Sequence, residues 1–307
     1  MSAAHPLRWV ELTPSYRCNN RCLGCFASSP DAGAEMSDRE VLDALARGRR
    51  DGATGLWLGG GEPTLARGAL RIAHAARRMG YARVKLQTNG MMLAYPEYAQ
   101  RARDAGVTEA AFSIKGTTAA THDRLARTEG CFDLMLRGIE NCRAQGMDLE
   151  GDVLVYRSNA HELPDIVRDN LARGIARFRV WLLSAVSDPG ARDEVPRIAD
   201  VTPHLTRAAD LLPPDAPDDA LVSLHTPPCT LPPGYERLRF FAPELGLRVV
   251  NPDGHAFLLE HSPIEGGAFL PRCEGCALRP RCNGPRTDYL GLHGPDEFVP
   301  LAAPHPL

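Results

Sequence analysis

Lysine is nearly absent from this chain. Lys85 and Lys115 are the only two among 307 residues, and arginine supplies the other basic side chains. With 35 Lys and Arg against 38 Asp and Glu, the formal net charge is −3. That balance gives no broad electropositive field, so RNA and DNA are not expected partners. No apolar run is long enough to span a bilayer, and residues 1–9 lack the charged-then-apolar order of a secretion signal. No membrane partner is expected, and the expected compartment is the cytoplasm. The nine cysteines are not the scattered pairs of a small secreted domain. They are clustered, which in a reducing compartment points to metal ligation rather than disulfides.

The densest cluster is Cys18-Asn19-Asn20-Arg21-Cys22-Leu23-Gly24-Cys25, just after an extended segment at residues 7–13. Thiolates are the usual protein ligands of a [4Fe–4S] cluster, and three of them leave one iron open to a small chelating molecule. A structural zinc site is the alternative chemistry, but it wants four closed N/S ligands. The next cysteine is Cys131.

Strand-like and helix-like stretches then alternate. Ser37-Asp38-Arg39-Glu40 reads as a capping box opening a helix with Val41, Leu42 and Leu45 on one face, closed by Gly52. Strands are expected at residues 56–58, 83–87, 110–114, 152–156 and 178–183. Helices are expected at 66–79, 96–105, from Phe132 to about Gly146, and at 162–173. Counting residues 7–13, six strands separated by helices predict an α/β fold, a partial (β/α)6 TIM-like barrel. Ligands of such sheets gather at the carboxyl ends of the strands. Prolines crowd the chain from Pro213, so a boundary is expected near Leu212. Residues 1–212 would form the barrel, and residues 213–307 a small cysteine-rich α+β extension. Within the extension, residues 237–241, 247–250 and 255–260 read as short strands, with residues 251–254 as the turn joining the last two. The Gly- and Pro-rich tail after Tyr289 is expected to wrap the surface.

Polar motifs sit at the strand ends. Gly59-Gly60-Gly61-Glu62-Pro63 follows the second strand, where glycines let a backbone approach a ligand and a carboxylate can accept from an ammonium group. Gln87-Thr88-Asn89-Gly90 follows the third, and Ser113-Ile114-Lys115-Gly116 the fourth. With the cysteine loop, these motifs resemble the radical S-adenosylmethionine (radical SAM) superfamily. The resemblance implies that Cys18, Cys22 and Cys25 hold a [4Fe–4S] cluster whose open iron binds the amino and carboxylate groups of SAM. It places Gly60, Gly61 and Glu62 at the SAM amino group, assigns Thr88 and Asn89 to a TNG element, and brings Ser113 to SAM. Arg157, past the fifth strand, is a candidate for the SAM carboxylate, with a surface salt bridge as the alternative.

Two positions depart from the family pattern. The residue before the third cysteine, usually an aromatic against the SAM adenine, is Gly24; Phe26 is the candidate replacement. Lys115 stands where many relatives have aspartate and is the candidate catalytic residue, able to bind a carboxylate or move a proton if desolvated. Trp181, His122, Cys131 and Cys142 read as structural.

The second cysteine group, Cys273-Glu274-Gly275-Cys276-x5-Cys282, is similar to the SPASM and twitch extensions of radical SAM maturases, which hold auxiliary [4Fe–4S] clusters. A full SPASM pattern would have cysteines where Leu259 and Arg286 stand. One auxiliary cluster is therefore expected, on Cys273, Cys276, Cys282 and Cys229, with a structural zinc on the same ligands as the alternative. The resemblance then implies reductive cleavage of SAM to a 5′-deoxyadenosyl radical and oxidative modification of a peptide or protein side chain, giving a crosslink or dehydrogenation. A flavodoxin- or ferredoxin-like electron donor is implied as well. Few residues precede the first strand, so a leader peptide is expected to need a separate partner. The second expectation is a small-molecule substrate in cofactor or natural-product biosynthesis. That layout is similar to the molybdopterin-precursor cyclase, although Pro304-His305-Pro306-Leu307 lacks its terminal Gly-Gly pair. A non-catalytic two-cluster electron-transfer protein is the third, and it would have no use for a SAM site.

Overall fold

The computed structural model describes residues 5–28, 34–186, 188–262 and 264–301. The expectations resting on residues 1–4 and 304–307 fall outside them. The chain runs β1 (Trp9–Leu12), α1 (Asp38–Arg50), β2 (Gly55–Leu58), α2 (Ala69–Arg78), β3 (Arg83–Thr88), α3 (Pro96–Asp104), β4 (Glu109–Ile114), α4 (Ala119–Ala126), α5 (Cys131–Ala144), β5 (Asp148–Val155), α6 (Leu163–Ala172), β6 (Arg177–Leu182) and α7 (Ile198–Asp210). It continues with β7 (Leu221–Leu224), α8 (Ala242–Leu245), β8 (Leu247–Val250), β9 (Ala256–Leu258) and α9 (Thr287–His293). The described strands make one sheet in the order β7-β6-β5-β4-β3-β2-β1-β8-β9. Every neighbouring pair is parallel except β8 and β9. This open, parallel-dominated α/β sheet is the architecture the alternation predicts.

Side-chain alternation divides the sheet into two unlike faces. Val10, Leu12, Leu56, Leu58, Val84, Leu86, Ala110, Phe112, Ile114, Val153, Val155, Phe178, Val180 and Leu182 point one way and share a core with the helices, including Val41, Leu45, Ile72, Met135, Ile139, Cys142, Ile166 and Leu205. The opposite, inner face carries Glu11, Trp57, Lys85, Gln87, Ser113, Glu150, Asp152, Arg179 and Trp181 in the alternate positions. The helices form on caps legible in the sequence. Ser37 accepts from Glu40 N while the Glu40 carboxylate accepts from Ser37 N, the reciprocal box expected at α1.

Four expectations are corrected. Residues 237–241 form no strand; residues Glu236–Leu238 make a 3₁₀ turn whose Leu238 is buried in the main core. Leu221–Leu224, hidden between Pro217 and Pro227, is a seventh parallel strand on β6. Helix α7 continues through Pro203, a residue that normally breaks a helix by removing one donor and crowding the preceding turn. The tail after Tyr289 does more than wrap: Phe298 is 1% exposed and packs with Tyr289, Tyr156 and Leu183. The turn at residues 251–254 forms as expected, with Gly254 at φ 81° and its N–H donating to Asn251 O. Through β7, β8 and β9, residues beyond 212 contribute strands to the same sheet.

Candidate active site

The cysteine loop leaves β1 at the carboxyl end of the sheet and is clamped on several sides. Arg21 N and Leu23 N donate to Ala126 O and Leu125 O at the end of α4, and Tyr156 OH donates to Leu23 O at 2.9 Å. Gly24 lies at φ 72°, its N–H donates to Asp188 Oδ2, and a Cβ there would come 2.4 Å from Leu183 Cδ1. The missing aromatic thus has a steric reason: no side chain fits. Phe26 opens a short 3₁₀ turn and is 48% exposed. Partial burial pushes the Cys18 thiol up to about 11, opposed by the Asn20 N–H that donates to it; Glu62, Cys22 and Cys25 add to the rise. Metal binding would have to displace those protons.

The glycine turn packs on this loop. Gly61 N donates to Ser15 O and Glu62 N to Arg17 O, and a Cβ on Gly61 would come 2.3 Å from Arg17 O. The close backbone approach expected for a ligand is therefore made first by the chain itself. Glu62 is 1% exposed. Its Oε1 accepts from Thr64 N, Thr64 Oγ1 and Thr88 Oγ1, and its Oε2 from Asn89 N at 2.8 Å. Burial still raises its pKa. Most of its lone-pair capacity is spent fastening the turn after β2 to the turn after β3.

At the end of β4, Lys115 is 3% exposed, and its Nζ donates to Ser113 Oγ at 2.7 Å. Among the described residues no carboxylate lies within ion-pair distance of it. His122 accepts from Lys115 N at Nδ1 and is held neutral, its pKa lowered to about 3 by burial and then by Lys115. Asn159 Nδ2 donates to Lys115 O. Arg157 is exposed, and its backbone N–H donates to Glu194 O. Cys142 is buried in the core, and Cys131 is buried with its thiol donating to Asp123.

The sequence reading missed the inner face. Register places Glu11, Trp57, Lys85 and Glu109 in one row, and Ser113, Asp152 and Arg179 in another. Lys85 Nζ donates to Glu150 at 2.9 Å and sits 4.3 Å from the Trp57 ring centroid. Gln87 Nε2 and Trp181 Nε1 donate to the two Asp152 oxygens at 2.7 and 3.3 Å, and Trp57 Nε1 donates to Gln87 Oε1 at 3.2 Å. The available signal is a period of two, in Lys85-x-Gln87, Glu150-x-Asp152 and Arg177-x-Arg179-x-Trp181.

In the extension, Cys229, Cys273, Cys276 and Cys282 line one cavity of ≈ 430 Å³ including its open mouth, with Phe269, Leu278 and Phe298 among its walls. Burial, then Cys282 and Cys276, pushes Cys229 up to about 12. Among the described residues no three His, Cys, Asp or Glu side chains converge on one ion. A cubane's cysteines each hold a different iron and need no such convergence. The positions lacking SPASM cysteines have other work. Leu259 is buried beside Trp9 and Trp57. Arg286 is 3% exposed, donates to Leu182 O and Leu183 O at 2.9 and 2.8 Å, and pairs with Asp288 at 3.1 Å.

No helix among the described residues is long and apolar enough to cross a membrane. Residues 12–169 match the model of the Radical SAM superfamily, just over half of the chain. Curated relatives include the Fe-coproporphyrin III synthase of Methanosarcina barkeri, 30% identical over 49% of this chain and 37% of that one. The mycofactocin maturase MftC of Mycobacterium ulcerans is 34% identical over 52% of this chain and 42% of its own. The GTP 3′,8-cyclase of Erythrobacter litoralis is 31% identical over 52% and 50%. The matched region thus spans half or less of these relatives. Among solved structures, Streptococcus suis SuiB bound to the precursor peptide SuiA superposes with a TM-score of 0.71 over 97% of this chain and 76% of that one, at 13% identity. The enzyme anSMEcpe with bound AdoMet gives 0.55 over 67% and 58%, at 18% identity. These likenesses show the fold. The motif order, the site geometry and the family match set aside a non-catalytic electron carrier, and the chain belongs to the radical SAM superfamily of enzymes.

Proposed function

We propose that this radical SAM enzyme oxidatively modifies a peptide or protein side chain, by crosslinking or dehydrogenation, with an auxiliary [4Fe–4S] cluster on Cys229, Cys273, Cys276 and Cys282. The observation that carries the reading is the meeting of these four cysteines in one largely apolar cavity, although Cys229 lies far upstream of the others. A four-cysteine donor set in a dry recess suits a fully ligated cluster able to accept an electron. The SuiB likeness, which extends through the extension, and the match to a maturase support a peptide substrate. A small-molecule substrate is the second reading, favoured by comparable identity to the coproporphyrin synthase and the GTP cyclase.

When bound, the N-terminal cluster and SAM supply a 5′-deoxyadenosyl radical that abstracts hydrogen from the substrate. Cys18, Cys22 and Cys25 would ligate that cluster from the clamped loop. Gly60, Gly61 and Glu62 shape the wall beside it, held by Thr88 and Asn89. Ser113 and Lys115 offer a hydroxyl and an ammonium to a carboxylate, while Phe26 and Arg157 are the outer candidates for SAM contact. The inner face of the sheet orients the substrate and keeps water out. Residues 1–212 carry the SAM chemistry in this reading and residues 213–307 the auxiliary one. A flavodoxin- or ferredoxin-like donor and a cytoplasmic setting complete it.

The test is anaerobic iron and sulfide quantification with EPR on wild type, the Cys18→Ala/Cys22→Ala/Cys25→Ala variant and Cys229→Ala. Wild type is expected to hold about eight irons and the triple variant about four, with SAM perturbing only the N-terminal signal. About four irons plus one zinc would make the extension structural and remove the auxiliary cluster from the reading.

A further inference from the structure

The inner face of the sheet holds more carboxylate than its own cations neutralise. Glu150 takes Lys85 at 2.9 Å and Arg179 at 3.5 Å. Glu109 is closed by Arg83 through bonds of 2.6 and 2.7 Å, and Glu265 by His225 Nε2 at 3.2 Å. Glu11 and Asp152 remain without an ion pair among the described residues, yet they lie near enough to repel each other. Burial and then Asp152 push Glu11 up to about 7, and burial and then Glu150 push Asp152 up to about 6. Lys85 acts on both from farther off while donating to Glu150.

The two acids differ in a way that points to a missing partner. Asp152 is fixed by Gln87 and Trp181, whereas Glu11 accepts no hydrogen bond from any described residue and keeps part of its surface uncovered. The space before Glu11 is kept open by a glycine. A Cβ on Gly59 would come 3.0 Å from Glu11 Oε1 and 3.2 Å from Gln87 Oε1. Gly59 begins the turn that packs on the cysteine loop, so the recess opens toward the reaction centre. Its walls are the indoles of Trp57 and Trp181, and Trp57 already faces an ammonium in Lys85. Carboxylates without cations, beside aromatic rings, match an organic cation in charge and in polarisability.

We propose that this recess binds a cationic group of the substrate, an ammonium or guanidinium, seated between Glu11 and Asp152 against Trp57 and Trp181. The proposal rests on the reading that the substrate lies inside the sheet, and it narrows the substrate class to one with a basic side chain or amine. Lys115 and Ser113, farther along the same face at the end of β4, supply the opposite polarity near the mouth.

The experiment titrates the reconstituted full-length protein calorimetrically with the methylamides of N-acetyl-lysine, N-acetyl-arginine and the neutral isostere N-acetyl-norleucine. Wild type is expected to bind a cationic probe about tenfold or more tighter than the neutral one, a preference lost in Glu11→Gln/Asp152→Asn. 5′-Deoxyadenosine formation is read on the same wild-type preparation. Its absence would count against the radical SAM reading while leaving the charge preference to be judged separately. Equal binding of charged and neutral probes to an enzyme that forms 5′-deoxyadenosine overturns the recess and leaves the reaction standing. A preference that survives in the double variant also overturns it. Should that variant fail to fold, the charged-against-neutral comparison on wild type decides alone.

Discussion

Asn89 Nδ2 donates to Asn19 Oδ1 at 2.7 Å, and this one bond joins the turn after β3 to the cysteine loop, 70 positions earlier in the chain. The same Asn89 donates its backbone N–H to Glu62, while its side-chain oxygen accepts from Met91 N. Three motifs that lie far apart in sequence are thus held by one residue and one carboxylate. Asn89 does the holding from a buried position, where a lost partner is not replaced by water.

Asn89→Ala is therefore expected to lower stability by about 1–3 kcal/mol and to loosen the cysteine loop, reducing the iron retained at the N-terminal site. Asn19→Ala should share the part of that loss due to the bond between them. A double-mutant cycle is expected to show a coupling of about 0.5 kcal/mol or more. Strict additivity in thermal unfolding and in iron content would show that the loop is positioned without this bond.

How much of this could be read in advance depends on how local each feature is. The cysteine loop, the Gly59–Pro63 turn and the Ser37 capping box are contiguous, and their chemistry is complete within a few residues. The inner recess is assembled from residues spread over five strands, so no short window contains it. Its charges also blurred the strands that carry them: Asp148 and Glu150 read as loop, and β5 was expected to begin only at Asp152. Proline misled twice, concealing β7 between Pro217 and Pro227 and helix α7 around Pro203. Arg286 looked like an absence, a missing cysteine, because its partners at Leu182 and Leu183 are about a hundred residues away.

Arg286 also tests what the extension needs. It is buried against β6 carbonyls and Asp288, and Asp288 in turn accepts from Ser184 Oγ and Ala185 N. Gly284 and Pro285, immediately before it, line the four-cysteine cavity. Arg286→Cys supplies the residue of the fuller pattern but leaves Asp288 without its cation, a loss expected to cost about 3–5 kcal/mol. The variant should melt earlier than wild type and bind no additional iron. A gain of iron with unchanged melting would mean that the extension has room for another ligand there.

The unpaired acids of the inner face set a pH dependence with a definite sign. Glu11 moves from an ordinary 4.5 to about 7, and Asp152 from 3.8 to about 6. Between the ordinary and the raised values, the folded chain holds protons that the unfolded chain has released. Stability then falls as pH rises, because the folded state binds more protons than the unfolded one. The contribution is complete below about pH 4 and has been lost by about pH 7. Glu11→Gln/Asp152→Asn removes the titration, so the variant should show a flatter profile and exceed wild type above pH 7 by on the order of 1–3 kcal/mol. Thermal unfolding of both proteins from pH 5 to 8 measures it. If wild type instead gains on the variant as pH rises, the two carboxylates are already neutralised in the folded chain, and the recess has no charge left for a substrate to meet.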